Sequence, residues 1–519
     1  AHTDGVLMAG SDDGLVHVTT DGGDTWSNVT PPEMPKFSQV TSISESPHSN
    51  EGETPAVYMT VARHKMGDYT PYVYRTTDLG ETWERIDGAG SSDGGDDGSG
   101  GIPDGEFCRV VREDPDRPGL LYVGTELGLH ASFDGGAHWQ PLQLNLPVSP
   151  VYDLVVRHGD LIVATHGRSF WILDDVSQLH QAADADNDIA ATDAHLFMPR
   201  DTVRTPPDLF AGFWGTVGGK NYHVTIGQNA TFYLEEAETG HKTKRVLDAG
   251  TDLIPGARVT YWLGAKPTEP VTLTFLDADG NEVYSTHSDI PTEPEDRVGL
   301  YLTAEEGMNT FQWPMRHNPG PKLLGASMHG PPIGPLLPPG TYGVRLDVGD
   351  TSATETFELV RHPEVATSDA DFAEQRDLLL AIQSKATEMV EAINRIRRMR
   401  SQLTAVVDRP SVADDEVIQE AVSALTDKLD EVERELIQVE LTTPGDTLNY
   451  PPKLYETLGD LVAVVASADT APTTQSHTVF NKLCGLIDPQ LATVQSIIDS
   501  DVKRLNDALS EQGAAIIGS

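Results

Sequence analysis

The stretch "TTDGGDTWSNV", Thr19 to Val29, is written three times in this 519-residue chain. It returns as "RTTDLGETWERI", Arg75 to Ile86, and as "ASFDGGAHWQPL", Ala131 to Leu142. The shared pattern is Ser/Thr-x-Asp-x-Gly-x-Thr-Trp. Its members are Thr19, Asp21, Gly23, Thr25 and Trp26, then Thr76, Asp78, Gly80, Thr82 and Trp83, then Ser132, Asp134, Gly136 and Trp139, with His138 in place of the second Thr. The three aspartates lie 57 and 56 residues apart. A carboxylate at the third position accepts hydrogen bonds from turn N–H groups, Gly supplies a positive φ, and Trp clamps the hairpin to its sheet. These residues therefore read as architecture rather than catalysis.

Each copy closes a pair of strand-like runs. "VLMAGSDDGLVHVTTD" and "LLYVGTELGLHASFD" align through Gly10 with Gly124 and Gly14 with Gly128. "DLIVATHGRSFWILDD" continues the series without the Gly and Trp, with Ala164 under Gly124 and Asp174 under Asp134. Short strands with one Gly/Trp signature per unit of about 40–60 residues predict β-propeller blades over residues 1–180. Three to four blades fall below or at the low end of the ~4–8 of a closed propeller, so further blades are expected upstream of Ala1.

The pattern then changes. Residues 181–212 lose periodicity and read as a linker. Alternating runs over 213–363, with an Asp279-Gly280 hairpin signal, predict a β-sandwich of immunoglobulin-like type. From 368 to 519 the period is helical: Ile382, Met389, Ile396 and Leu403 recur every seven residues, as do Ile418, Leu425 and Val432 after the break at "DRPS". The fold class is thus multidomain and mainly β, with an α-helical bundle or hairpin at the end.

Charge narrows the function. Against 36 Lys+Arg stand 80 Asp+Glu, a formal net charge of −44. Such a surface repels phosphate backbones and anionic headgroups, which argues against nucleic-acid and membrane-surface partners. The basic cluster "RIRRMR", Arg395 to Arg400, is expected to pair with the acidic "DDEVIQE" and "DEVERE" of the next helix. The two cysteines, Cys108 and Cys484, are too few for a disulfide framework. No apolar run approaches the ~18 residues of a membrane span.

The repeats resemble the Asp-box (BNR) repeat of sialidases, of the sortilin/Vps10 propeller and of xyloglucan-cleaving propeller hydrolases. Together with "GPLLPPGTYGVRLDV" and "LNYPPKLYETL", the chain is similar to the C-terminal half of large microbial proteins described as sortilin N-terminal-like or as BNR-repeat glycosyl hydrolases. That resemblance implies a secreted or periplasmic multidomain protein. With motifs that read as structural, the chain is expected to bind polypeptide or glycan; the alternatives are a glycoside hydrolase acting on an extracellular polysaccharide and a scaffold that self-associates through its helical tail. The hydrolase description rests on the repeat and names no catalytic residue.

The remaining motifs give few candidates. A sialidase would need an arginine triad, yet no spacing selects three of Arg63, Arg75, Arg109, Arg112 and Arg168. A generic glycosidase needs two carboxylates ~5–9.5 Å apart, and 80 acids nominate no pair. In "ATHGRSFWILDD", His166, Arg168, Trp171, Asp174 and Asp175 suit an anionic or sugar ligand, or else tie loops together at a closing blade. The acidic loop Gly88–Gly101 lacks calcium-ligand spacing, "HGPPIGPLLPPG" from His329 reads as an edge loop, and "DADGN" at Asp277–Asn281 as a turn. No metal site or cofactor is expected, a surface cation such as calcium aside.

Overall fold

The computed structural model describes residues 3–49, 54–88, 100–183, 189–205, 217–225, 228–247, 250, 255–293, 296–325, 332–407, 409, 415–511 and 518. Most of the Gly88–Gly101 run, the start of the proline-rich run and all of the "DRPS" break but Arg409 lie outside the described residues. The chain divides into two compact units, Ala1–Ile189 and Ala190–Ser519. It is mainly β, with a helical C-terminal segment.

Among the described residues of the first unit, four antiparallel meanders follow one another. Sheet 1 has β1 (Leu7–Gly10), β2 (Val16–Thr19) and β3 (Ser27–Asn28). Sheet 2 has β4 (Gln39–Glu45), β5 (Val57–Arg63), β6 (Asp68–Thr76) and β7 (Glu84–Arg85). Sheet 3 has β8 (Cys108–Glu113), β9 (Leu121–Thr125), β10 (Leu129–Ser132) and β11 (Gln140–Pro141), and sheet 4 has β12 (Val151–Arg157), β13 (Asp160–Thr165) and β14 (Phe170–Leu173).

Burial orders these sheets. Val16 of sheet 1 packs with Met59, Val61 and Tyr72 of sheet 2, and Tyr58 and Val73 of sheet 2 pack with Val111, Leu121 and Val123 of sheet 3. Val110, Tyr122 and Leu129 on the other face of sheet 3 pack with Leu154, Leu161 and Val163 of sheet 4. Both faces of β9 are covered, so "LYVGT" is buried at every position, the pattern of a strand between two layers.

The three repeated stretches are the turns that end β2, β6 and β10. In the first, Thr25 N–H and Oγ1 donate to Asp21 Oδ1 and Oδ2 at 2.9 and 2.6 Å, and Gly23 N–H donates to Thr19 Oγ1 at 3.0 Å. The second repeats this with Thr82 on Asp78 (2.9 and 2.6 Å) and Gly80 on Thr76 (2.9 Å). In the third, His138 N–H and Nδ1 take the two threonine contacts with Asp134 at 2.9 and 2.6 Å. An imidazole nitrogen reaches where a hydroxyl would, so the substitution keeps the turn.

Two successive residues of each turn have positive φ. They are Gly22 and Gly23, Leu79 and Gly80, and Gly135 and Gly136. Leu79, at φ 58°, is the one non-glycine among them, and it bears a left-handed penalty of about 1–2 kcal/mol. The second glycine also lets the preceding sheet approach: a Cβ on Gly80 would lie 2.8 Å from Val29, and one on Gly136 would lie 2.8 Å from Ile86. Trp83 Nε1 donates to the Val29 carbonyl and Trp139 Nε1 to the Ile86 carbonyl, both at 2.7 Å. Each tryptophan thus fastens its own sheet to the one before it.

Sheet 4 ends differently. Its hairpin pairs Leu161 with Leu173 where sheet 3 pairs Leu121 with Ser132. The β13–β14 loop is one residue longer, which moves Asp175 rather than Asp174 into the place of Asp134, contrary to the alignment by sequence. Val176 N–H donates to the Gly159 carbonyl as Gly135 N–H does to Gly119. The chain then enters helix α1 (Ser177–Ala182), where Asp175 Oδ1 accepts from Ser177 N–H. His180 of α1 contacts the buried Asp114 carboxylate at 2.9 Å, and Tyr122 donates to the same oxygen at 2.9 Å.

In the second unit, β15 (Ala194–Leu196) and β16 (Thr202–Arg204) fall inside the stretch read as linker. Both are three-residue strands, too short to show a period. They are followed by β17 (Lys220–Thr225), β18 (Gln228–Glu236), β19 (Lys242–Val246), β20 (Ala257–Leu263), β21 (Thr272–Leu276), β22 (Glu282–His287), β23 (Gly307–Trp313), β24 (Gly340–Val348) and β25 (Thr351–Arg361). Sheets β15-β20-β23 and β16-β25-β24-β21-β22 share one core, in which Phe275 stacks on Trp313 at 4.2 Å. The strands β17-β18-β19 form a separate sheet. The "DADGN" segment is the β21–β22 turn, with Asp279 and Asn281 N–H donating to Asp277 Oδ1.

Helices α2 (Asp369–Val407), α3 (Glu416–Leu436), α4 (Leu454–Val465) and α5 (Thr474–Ile497), the last continued by a π-helical turn into α6 (Lys503–Glu511), share another core. The heptad residues Ile382, Met389, Ile396 and Leu403 are at most 1 % exposed. Arg397 pairs with Glu433, and Arg400 with Asp430 and Glu433. Two of the cluster's four arginines are thereby paired with the "DEVERE" segment of the antiparallel helix α3. Arg204 of β16 forms a buried ion pair with Asp469 of the α4–α5 connection, stacks over Phe372 of α2 at 4.8 Å, and donates through Nε to the Leu337 carbonyl at 2.6 Å.

Candidate functional site

Antiparallel order puts the repeated turns at one end of the first unit's sheets. The starts of β4, β8 and β12 and the loops after β5, β9 and β13 lie at the opposite end. There a row of flat side chains crosses three sheets. His64, after β5, stacks on Phe107 with centroids 4.5 Å apart and planes 13° from parallel. Arg109 of β8 lies over the Phe107 ring at 4.9 Å and over the Tyr152 ring of β12 at 4.1 Å. Tyr152 in turn meets His166 after β13 at 4.8 Å, and Tyr69 of β6 meets Phe107 at 6.1 Å.

The row is anchored beneath and open above. Phe107 is 3 % exposed, while Tyr69 and Tyr152 are 53 % and 48 % exposed. Arg109 Nε donates to Glu126 Oε2 at 2.7 Å, which sets the guanidinium plane between its two rings. Burial first, and the Arg109 charge after it, hold the His64 imidazole below its usual range. It is therefore a neutral, stacking side chain at physiological pH.

Two carboxylates stand at this end of sheet 3. Glu126 is occupied by Arg109. Glu106 accepts from Thr125 Oγ1 at 3.0 Å and contacts His130 Nε2 at 2.9 Å. The hydrogen bond from His130 outweighs burial and holds the Glu106 carboxyl below its ordinary value, the reverse of what a general acid requires.

The five residues nominated from "ATHGRSFWILDD" do not converge. His166 joins the row through Tyr152, and Arg168 is exposed at the tip of the same hairpin. Trp171 faces sheet 3, and its indole N–H donates to the Arg168 carbonyl at 2.9 Å. Asp174 and Asp175 follow β14, at the other end of that strand, where Asp175 accepts from Ser177 N–H at the start of α1. Three of the five arginines are separately engaged: Arg63 with Asp68, Arg109 with Glu126 and Arg112 with Asp153. No group of three or more His, Cys, Asp or Glu among the described residues is arranged to hold a metal ion.

Sequence reasoning noted Arg109 without a role and passed over His64, Phe107, Glu126 and Tyr152. Their separations follow no motif. The available signal was positional: all lie at the first-strand starts or second-strand ends of aligned repeats.

No family model matches this chain, and none of the curated proteins does. Among solved structures, one of YCF48 bound to D1 peptide is similar over 50% of this chain and 72% of its own, at 13% identity and a TM-score of 0.24. YCF48 from Cyanidioschyzon merolae is similar over 44% and 60%, at 10% identity and 0.24. An ancestral GH74 enzyme is similar over 68% and 47%, at 13% identity and 0.21. Scores of this size carry no argument about fold or activity, and the architecture stands on the sheets described above.

No helix among the described residues is long and apolar enough to cross a membrane.

Proposed function

We propose that the four sheets of the first unit are blades of an Asp-box β-propeller, and that the protein is an extracellular binding protein for a polypeptide or glycan. The second unit then contributes an immunoglobulin-like sandwich and a helical tail. The observation that carries the reading is the row Tyr69, Phe107, Arg109, Tyr152 and His166, set across three sheets with its tyrosines open. Partly exposed rings on a rigid floor stack on sugar faces and on apolar or proline side chains, and the Arg109–Glu126 pair supplies a donor and an acceptor at fixed places.

A hydrolytic role at this row has less support. Its carboxylates are paired, and Glu106 is held ionised. The resemblance to sialidase-type repeats concerns the turns at the opposite end, where the aspartates saturate their own loops.

The test is binding of the whole chain to arrays of glycans and unstructured peptides, followed by titration of any hit. Tyr152→Ala should weaken that hit by about 30-fold or more, the scale of a hot-spot residue, without lowering the unfolding midpoint. An unchanged affinity would reject the row as the site. Sugar release from a glycoside panel that is lost in E106Q or E126Q would replace the binding reading with the hydrolase one.

A further inference from the structure

We infer that Asn28 is an acceptor site for an N-linked glycan, on the outer edge of sheet 1. The sequence contains Asn-x-Ser/Thr twice, as Asn28-Val29-Thr30 and as Asn229-Ala230-Thr231, in neither case with Pro in the middle. That triplet is what an oligosaccharyltransferase reads on a chain entering a secretory route. Such triplets also arise by chance, and what singles out Asn28 is where the structure holds it.

Sheet 1 runs β1-β2-β3, which leaves β3 on its outside, and both residues of β3 are exposed. Every copy shares this property. The strands β7 and β11 are likewise the outer strands of sheets 2 and 3, and Glu84, Arg85, Gln140 and Pro141 are all exposed although each of those sheets has another before it. Within the triplet, Val29 is held from two sides. Its N–H donates to the Val16 carbonyl at 2.9 Å, its carbonyl accepts from Trp83 Nε1 at 2.7 Å, and its side chain packs against Val16 and Met59 of the core. Successive side chains of a strand point to opposite faces, so fixing Val29 inward turns Asn28 outward.

The side chains of the triplet divide between architecture and chemistry. Thr30 Oγ1 accepts from Val16 N–H at 2.9 Å, and Thr30 N–H donates to Asn28 Oδ1 at 3.0 Å. Thr30 thus has a duty within the sheet. The fold does not demand an amide at position 28, because Arg85 and Pro141 stand two residues after the tryptophan in the other copies. The turn occupies Oδ1 and leaves Nδ2, the atom that carries an N-linked sugar, with no partner among the described residues.

The bond forms by displacement. Asn28 Nδ2 attacks the anomeric carbon of an oligosaccharide carried on a polyprenyl diphosphate. The bond from that carbon to the diphosphate oxygen breaks, the lipid diphosphate leaves, and the amide gives one proton to a base. A glycan at Asn28 covers the unpaired backbone edge of β3, and such cover keeps an edge strand from pairing with other chains.

The inference rests on the extracellular part of the proposed function and not on the aromatic row, which is carried by sheets 2, 3 and 4. The experiment uses the 519-residue chain behind a secretion leader, made in a host whose oligosaccharyltransferase reads Asn-x-Ser/Thr. Peptide mapping by mass spectrometry should find a glycan on Asn28. A peptide-N-glycosidase in heavy-oxygen water should release it from the folded protein without denaturant and leave a heavy carboxyl at position 28. N28Q should lose both the glycan and the mark. A bare Asn28 in the secreted chain, a glycan on Asn229 alone, or release only after denaturation overturns the assignment. Because the leader supplies secretion, any of these results leaves the binding reading intact, and N28Q should bind a ligand of the row as the parent chain does.

Discussion

The first repeated turn and the third have the same internal hydrogen bonds and opposite surroundings. Trp139 is 1 % exposed and bonded to the sheet before it, whereas Trp26 is 44 % exposed, with no described sheet before it. The Asp21 turn nevertheless closes at the same distances as the Asp134 turn. The carboxylate loop is therefore a local structure that folds on its own residues, and the tryptophan and second glycine are the parts that join one sheet to another. The motif combines two devices, one local and one that joins sheets.

Substitutions can break or sharpen that distinction. The largest difference is expected at the glycines. Gly136→Ala combines left-handed strain with a clash against Ile86, including its backbone oxygen at 3.0 Å, and should cost about 2–5 kcal/mol. Gly23→Ala meets only the Trp26 indole nitrogen at 3.9 Å and should cost about 1–2 kcal/mol. Denaturant unfolding of the two variants checks this, and equal costs would mean that the second glycine does not serve the interface.

The tryptophans come next. Trp139→Phe leaves the Ile86 carbonyl without its indole donor and opens a small void, at about 2–3 kcal/mol. Trp26→Phe should stay within about 0.5 kcal/mol of the parent. A large loss at Trp26 in the same melts would show that the exposed indole already has structural work within its own sheet.

A smaller effect, of opposite sign, is expected at Leu79. Leu79→Gly removes a left-handed penalty of about 1–2 kcal/mol and adds a glycine entropy cost of about 0.5–1 kcal/mol. The thermal midpoint should rise slightly, and a fall would mean that Leu79 contributes more by lining a groove beside β1.

The smallest effect is the response to acid. Hydrogen bonds from Thr82 and Thr76 lower the Asp78 carboxyl to about 2, and those from Thr25 and Thr19 lower Asp21 further. Folded values below the unfolded one near 3.9 mean that the contribution is complete above about pH 4 and is lost as pH falls through the folded value. Carboxyl carbon shifts followed against pH should show both groups depressed. Normal titration of Asp21 alone would mean that the loop needs its neighbouring sheet after all.

Much of this was legible in the sequence because the carboxylate turn is local. Asp, hydroxyl and Gly at fixed spacing specify their own bonds, and the heptads of α2 and α3 likewise specify their buried faces. Other parts depend on distance or on a single inserted residue. The β13–β14 loop gains one position and moves Asp175 into the turn where alignment favoured Asp174, because strand identity is set by pairing rather than by letters. The row through Arg109 and Tyr152 joins residues 43 positions apart in sequence and emerges only when neighbouring sheets stack. Strands β15 and β16 are too short to signal themselves, although Arg204 of β16 makes a long-range contact that no periodicity could announce.

That contact bears on how the second unit can change over time. Arg204 and Asp469 are 265 positions apart and both almost fully buried. Removing either partner alone strands a charge in the interior, at about 3–5 kcal/mol, whereas exchanging both for apolar residues of similar volume can be nearly neutral. The sheet that carries Arg204 and the helices that carry Asp469 are thus bound to a shared mutational history: neither can be swapped for another version without carrying the other's half of the pair along.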